Sequence, residues 1–238
     1  MSAPLLIETV DGGVVLTLAR TDKRNALSAE LVEALIEAVD AAHADNAQLI
    51  VFRGQGKNFS AGFDFSGWED ASEGDLVLRF IRIETLLQKV ALSSAHTLAF
   101  AHGRNFGAGV DLFGVCQSRI ATEDASFRMP GLKFGLVLGT RRFAACVGDR
   151  AAREILSSTR TFDATEARTI GFVTQQADAA AWPGLVDDAI AATPDPARAL
   201  LGAALCSEQP DRDLAHLVRS AAAPGLKARI GAYLAPSH

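Results

Sequence analysis

The sequence predicts an α/β fold of repeated strand–turn–helix units that ends in a helical C-terminal region. Three observations predict it. Short β-branched runs alternate with stretches of helical period. Two glycine-rich turns of matching sequence each follow a strand. Beyond Gly139 the pattern becomes largely helical.

Taken in order, Leu5–Val10 and Val14–Ala19 are β-rich runs around Asp11-Gly12-Gly13, a hairpin signal. Ser28 can cap a helix running to about His43, with Leu31, Leu35, Val39 and Ala42 on one face. Gln48–Phe52 reads as a short strand leading into a glycine-bearing stretch. A longer amphipathic helix is expected over Asp75–Leu92, with Leu78, Phe80, Ile83, Leu87 and Val90 among its apolar residues. His96–Ala101 is the next strand, and Ser118–Ala121 and Ser126–Arg128 are short ones. Helices follow over Thr140–Val147, Asp149–Ser158 and Asp163–Thr169, and a strand over Phe172–Gln175. Pro194 and Pro196 mark a boundary between a core, residues 1–193, and a C-terminal helical region, residues 194–238. That tail is too small for a core of its own, so it must pack on the body or on another subunit.

Composition narrows the function. Of 238 residues, 49% are apolar and 21% charged, a soluble balance, and the net charge of −5 offers no basic field to a nucleic-acid backbone. Cys116, Cys146 and Cys206 form no CxxC pair, which argues against a disulfide framework or zinc site and for a reducing compartment. His43, His96, His102, His216 and His238 form no constellation, so no metal is expected. No apolar run reaches the roughly 18 residues of a membrane span. The first twenty residues lack a basic leader, so a cytoplasmic protein is expected.

The chemistry lies in the two turns, Asn58-Phe-Ser-Ala-Gly-Phe-Asp-Phe-Ser-Gly67 and Asn105-Phe-Gly-Ala-Gly-Val-Asp-Leu-Phe-Gly114. Glycine lets backbone approach a ligand closely, and free N–H groups at a helix start favour negative charge. Two such donors aimed at one point form an oxyanion hole. A dinucleotide fold is the rival, but Phe59 and Leu112 stand where its third glycine belongs. The lysine-bearing phosphate loop is absent.

Four motifs in order resemble the crotonase family, the enoyl-CoA hydratases and isomerases. They are Arg20-Thr-Asp-Lys-Arg-Asn-Ala-Leu27, Phe59-Ser-Ala-Gly-Phe-Asp-Phe65, Ala101–Leu112 and Phe127-Arg-Met-Pro-Gly-Leu-Lys-Phe-Gly-Leu136. The resemblance implies a ClpP/crotonase-like spiral of ββα units that binds coenzyme A thioesters. It needs no cofactor beyond the coenzyme A carried by the substrate. It implies homotrimers, or dimers of trimers, packed through C-terminal helices. It assigns the oxyanion donors to the N–H groups of Phe63 and Ala108, whereas matching the two turns to each other sets Ala61 opposite Ala108. Ala61 and Asp64 would shape the first loop, and Ala26 and Arg24 would lie near the coenzyme A moiety. Arg24 is equally readable as a solvated charge.

The pattern breaks at the acid–base positions. Where hydratases carry two glutamates, this chain has Asp111 and Gly131, and the loop Gly135–Arg142 is about three residues short. Asp111 reads either as a lone base or as a cap at a helix start. A single-carboxylate, isomerase-like enolate reaction is therefore expected ahead of two-glutamate hydration. The alternatives are a catalytically impaired acyl-CoA-binding or scaffold protein, and a thioester hydrolase or decarboxylase. Arg104 could meet a substrate carboxylate or a surface partner, and Trp68 could belong to a lid or to packing.

Overall fold

The computed structural model describes residues 3–192 and 208–236. The expected boundary at Pro194 and Pro196, and the alanine- and leucine-rich stretch after it, lie outside these residues.

A six-stranded sheet forms the frame, in the order β1 (Leu5–Val10), β2 (Gly13–Leu18), β3 (Leu49–Gly54), β4 (His96–Ala101), β6 (Ser118–Ala121) and β9 (Gln175–Gln176). The β1–β2 hairpin is antiparallel and every later pairing is parallel. Parallel neighbours need crossovers, which α1 (Ala29–Ala44) and α2 (Glu73–Ala91) supply. Such a sheet is covered on both faces, and its strands accordingly read as unbroken apolar runs. Leu16, Ile50, Phe52 and Ala99 face the main core with α1 and α2. Val15, Leu49, Val51, Leu98 and Phe100 face α7 (Trp182–Ala192). Ser28 caps α1 as expected, and Ser72 and Asp75 form a capping box at α2.

A second sheet joins β5 (Arg104–Phe106), β7 (Ser126–Arg128) and β8 (Thr161–Asp163). It supports α3 (Ala108–Gly114), whose first turn faces the site. The chain continues through α4 (Thr140–Val147), α5 (Asp149–Ser158) and α6 (Ala164–Thr169). The expected strand over Phe172–Gln175 is replaced by the two-residue β9 at Gln175–Gln176, and Phe172 and Val173 are buried in the core ahead of it.

The last helices are α8 (Pro210–Ala221) and α9 (Leu226–Leu234), which pack on the body of the same chain. Leu217, Ala221, Leu226 and Ile230 are buried there. Among the described residues, no helix is long and apolar enough to cross a membrane.

Candidate active site

The two turns are bonded to each other. Asn105 is buried, and its Oδ1 accepts from the N–H groups of Phe59 (3.0 Å) and Ser60 (3.2 Å). Its Nδ2 donates to the carbonyls of Gly103 and His102. The N–H of Phe106 returns to Ser60 O at 3.1 Å. Gly62 sits in this seam at φ +83°, where a Cβ would lie 2.3 Å from Phe106 O, so only glycine fits. The equivalence of the turns is partial: Gly107 opens directly into α3, whereas no helix follows the first turn until Glu73.

Seven residues singled out from the sequence line one cavity of about 430 Å³: Arg24, Ala26, Ala61, Phe63, Asp64, Ala108 and Asp111. The backbone distinguishes the two candidate donor pairs. The N–H of Ala61 donates to Arg24 O at 2.9 Å and is engaged. The N–H groups of Phe63 and Ala108 donate to no acceptor among the described residues. Ala108 opens α3, where an N–H has no intrahelical acceptor. Phe63 is braced by a stacked Phe80 ring at 4.2 Å and by the Arg79 guanidinium 4.5 Å above its own ring. Arg79 also bonds Asp64 O.

The two carboxyl groups of the cavity differ sharply. Asp64 pairs with Arg20 at 2.9 Å and accepts from the N–H of Ser66. Burial pushes its carboxyl up, but Ser66 and Arg20 together outweigh burial and hold it below its ordinary value. Asp111 is 9% exposed and accepts no hydrogen bond from the described residues. The reading of Asp111 as a helix cap is therefore corrected. Gly107 holds the cap position of α3, and the Asp111 side chain instead points at Gly139 of the loop before α4. A Cβ on Gly139, at φ +63°, would fall 2.0 Å from Asp111 Oδ1. Burial raises the Asp111 carboxyl well above its ordinary value, nearby Glu84 adds to this, and Arg142 opposes it.

Glu84 and Arg142 were not singled out from the sequence. Glu84 is 1% exposed and accepts from the two terminal guanidinium nitrogens of Arg142, at 3.0 and 3.1 Å. Arg142 continues to Glu208 and Asp213, so the pair ties α2 to α4 and to the start of α8. A signal was present, since Glu84 stands four residues after Phe80 on the apolar face of α2. Tyr233 and Leu234 of α9 also line the cavity, with the Tyr233 ring 5.1 Å from Phe134.

The other expectations resolve simply. Arg104 is absent from the cavity wall, and its guanidinium lies 5.7 Å from the Phe106 ring. His102 bonds Gly56 O at 3.0 Å and packs beside Trp182. Trp68 packs on Gly231 of α9. At Gly131, where a second glutamate would stand, the Leu136 carbonyl lies 3.0 Å from the position of a Cβ.

The sequence model of the family described as enoyl-CoA hydratase/isomerase matches residues 8–193. A Mycobacterium leprae protein named probable enoyl-CoA hydratase echA6 is 33% identical over 186 residues, covering 74% of this chain and 73% of its own length. A crystal structure of a candidate enoyl-CoA hydratase/isomerase from Bordetella parapertussis matches with a TM-score of 0.96 at 60% identity, over 99% of this chain and 100% of that one. A crystal structure of enoyl-CoA hydratase from Bacillus halodurans, at 21% identity, shares the fold with a TM-score of 0.83, over 96% of this chain and 99% of its own.

Proposed function

The chain belongs to the enoyl-CoA hydratase/isomerase family, and from that premise we propose that it binds an acyl-CoA thioester in the 430 Å³ cavity and performs enolate chemistry with one carboxyl group. The observation that carries this reading is the pair of unengaged N–H groups, Phe63 and Ala108, on the wall that also holds Asp111.

The thioester carbonyl oxygen accepts from both N–H groups, which stabilise it most when it gains charge. The α-proton then becomes acidic, and Asp111 takes it. In a 3-enoyl thioester the C–H electron pair forms a double bond between the α-carbon and the carbonyl carbon while the carbonyl π pair moves onto oxygen, giving the dienolate. Protonated Asp111 then returns the proton to the γ-carbon, the carbonyl re-forms and the double bond comes to rest between the α- and β-carbons. A base whose proton affinity lies above the ordinary carboxylate range suits this transfer near neutral pH. Hydration asks for a second group to activate water, and Gly131 has no side chain to offer. Arg24 and Ala26 line the part of the wall assigned to the coenzyme A moiety, and Ala61 and Asp64 hold the first loop. The working unit in this reading is a homotrimer or a dimer of trimers.

Gly131 also favours a second reading, an acyl-CoA-binding subunit without turnover. A panel of saturated, 2-enoyl, 3-enoyl and malonyl-type CoA esters, followed by mass spectrometry with chromatographic separation of isomers, separates the two. Interconversion of 2- and 3-enoyl isomers at unchanged mass supports the enzyme. Water addition as the dominant reaction overturns the single-carboxylate assignment. Tight binding without any product establishes the second reading.

A further inference from the structure

A second cavity, of about 710 Å³, lies among α4, α5 and α8 and shares Leu132, Thr140 and Leu156 with the first. Ala152 and Leu156 of α5 are its buried apolar residues, the Arg141–Asp213 ion pair also lines it, and Arg153, Arg212 and His216 are exposed at its mouth. Gly139 lines it as well, and the Asp111 carboxyl rests on that glycine from the side of the first cavity. The reacting end of the first cavity and the second cavity are therefore one residue apart. Leu132, at the junction, is 44% exposed, and Leu234 on the first cavity's wall is 40% exposed, so large apolar side chains stand uncovered along this path.

Asp111 lines the first cavity together with Phe63 and Ala108, whose N–H groups are the proposed thioester donors. Gly139 borders the Asp111 carboxyl on one side and the second cavity on the other, and Leu132 and Leu156 line both cavities. Each methylene entering an apolar cavity leaves water, which favours binding. We propose that the second cavity holds the distal acyl chain, and that the substrate is an acyl-CoA whose acyl group extends well beyond four carbons. This rests on the proposed thioester function.

The test is titration of the full chain with butyryl-CoA and with dodecanoyl-CoA below its micelle-forming concentration, for the wild type, Ala144→Phe and Ala152→Leu. Ala144 and Ala152 line only the second cavity. The wild type is expected to bind dodecanoyl-CoA at least tenfold more tightly than butyryl-CoA. Either cavity-filling substitution should reduce that ratio below about threefold by weakening dodecanoyl-CoA binding. A wild-type ratio below threefold, or a ratio that neither substitution changes, overturns the inference. Because the readout is a ratio, a general loss of folded protein does not imitate the effect. Failure of both thioesters to bind would overturn the proposed function itself, whereas butyryl-CoA binding without chain-length discrimination overturns only the acyl-chain site.

Discussion

The proposed reaction asks Asp111 to ionise in a place that resists ionisation. Its carboxyl has no hydrogen-bond donor among the described residues, and Glu84 places a second negative charge nearby. Burial first, and Glu84 second, raise its proton affinity, while Arg142 offsets part of the rise. The folded state therefore keeps a proton that the unfolded chain releases near pH 4. Stability from this group is fully present below that pH and is lost as pH rises through the folded-state value. Asp111→Asn removes the loss, so urea denaturation at pH 8 should show a gain of about 1–3 kcal/mol that vanishes by pH 4. Activity should move the other way, because in the proposed reaction Asp111 must be ionised to take the α-proton. The rising limb of its pH–rate profile should lie above the ordinary carboxylate range and disappear in the same variant. A lone aspartate in a glycine turn was legible in the sequence. Its environment was not, because Gly139, Glu84 and Arg142 reach it from three other segments.

Elements whose signals are local were readable and the others were not. Ser28 announces α1 within four residues, and Asp11-Gly12-Gly13 announces the first hairpin. Strands β5 and β8 have three residues each, and their pairings, Asn105 with Phe127 and Phe127 with Phe162, join segments far apart in the sequence that no local signal connects. The turn–turn seam is similarly non-local. Asn58 and Asn105 were visible as matching positions, yet their meaning is that each bonds across to another segment. Asn105→Ala would orphan the buried N–H of Ser60 and leave that of Phe59 only its longer bond to His102 O at 3.3 Å, and thermal or urea unfolding should show a loss of about 1–3 kcal/mol. The Glu84–Arg142 link between α2 and α4 makes a different prediction. Glu84→Gln should cost about 3 kcal/mol, since it leaves a buried guanidinium short of charge. It should also move the Asp111 limb of the pH–rate profile to lower pH, by removing the repulsion and freeing Arg142. Loss of stability without that shift would separate scaffold from tuning.

At the scale of the molecule, the chain's last helices complete the cavity that its first half begins. Arg229 donates to Phe134 O, Lys227 to Glu69 O, and Trp68 closes on Gly231. The Tyr233 ring lies 6.0 Å from that of Phe65, which sits two residues from Phe63, whose N–H is the proposed donor. Ending the chain before Leu226 should uncover Phe65 and Phe134, increase binding of an apolar dye, and weaken butyryl-CoA binding at least tenfold. The sequence foresaw that the tail must pack somewhere. It could not show that the packing reaches the site within one chain. The claim joining these scales is that two backbone N–H groups and one buried carboxyl suffice to form a thioester enolate. Exchange of the α-protons of butyryl-CoA in deuterium oxide, followed by mass spectrometry, tests it without presuming any particular product. The wild type is expected to incorporate deuterium, and Asp111→Asn to do so at least a hundredfold more slowly with butyryl-CoA still bound. Bound butyryl-CoA that never exchanges, or exchange unchanged in Asp111→Asn, would contradict it.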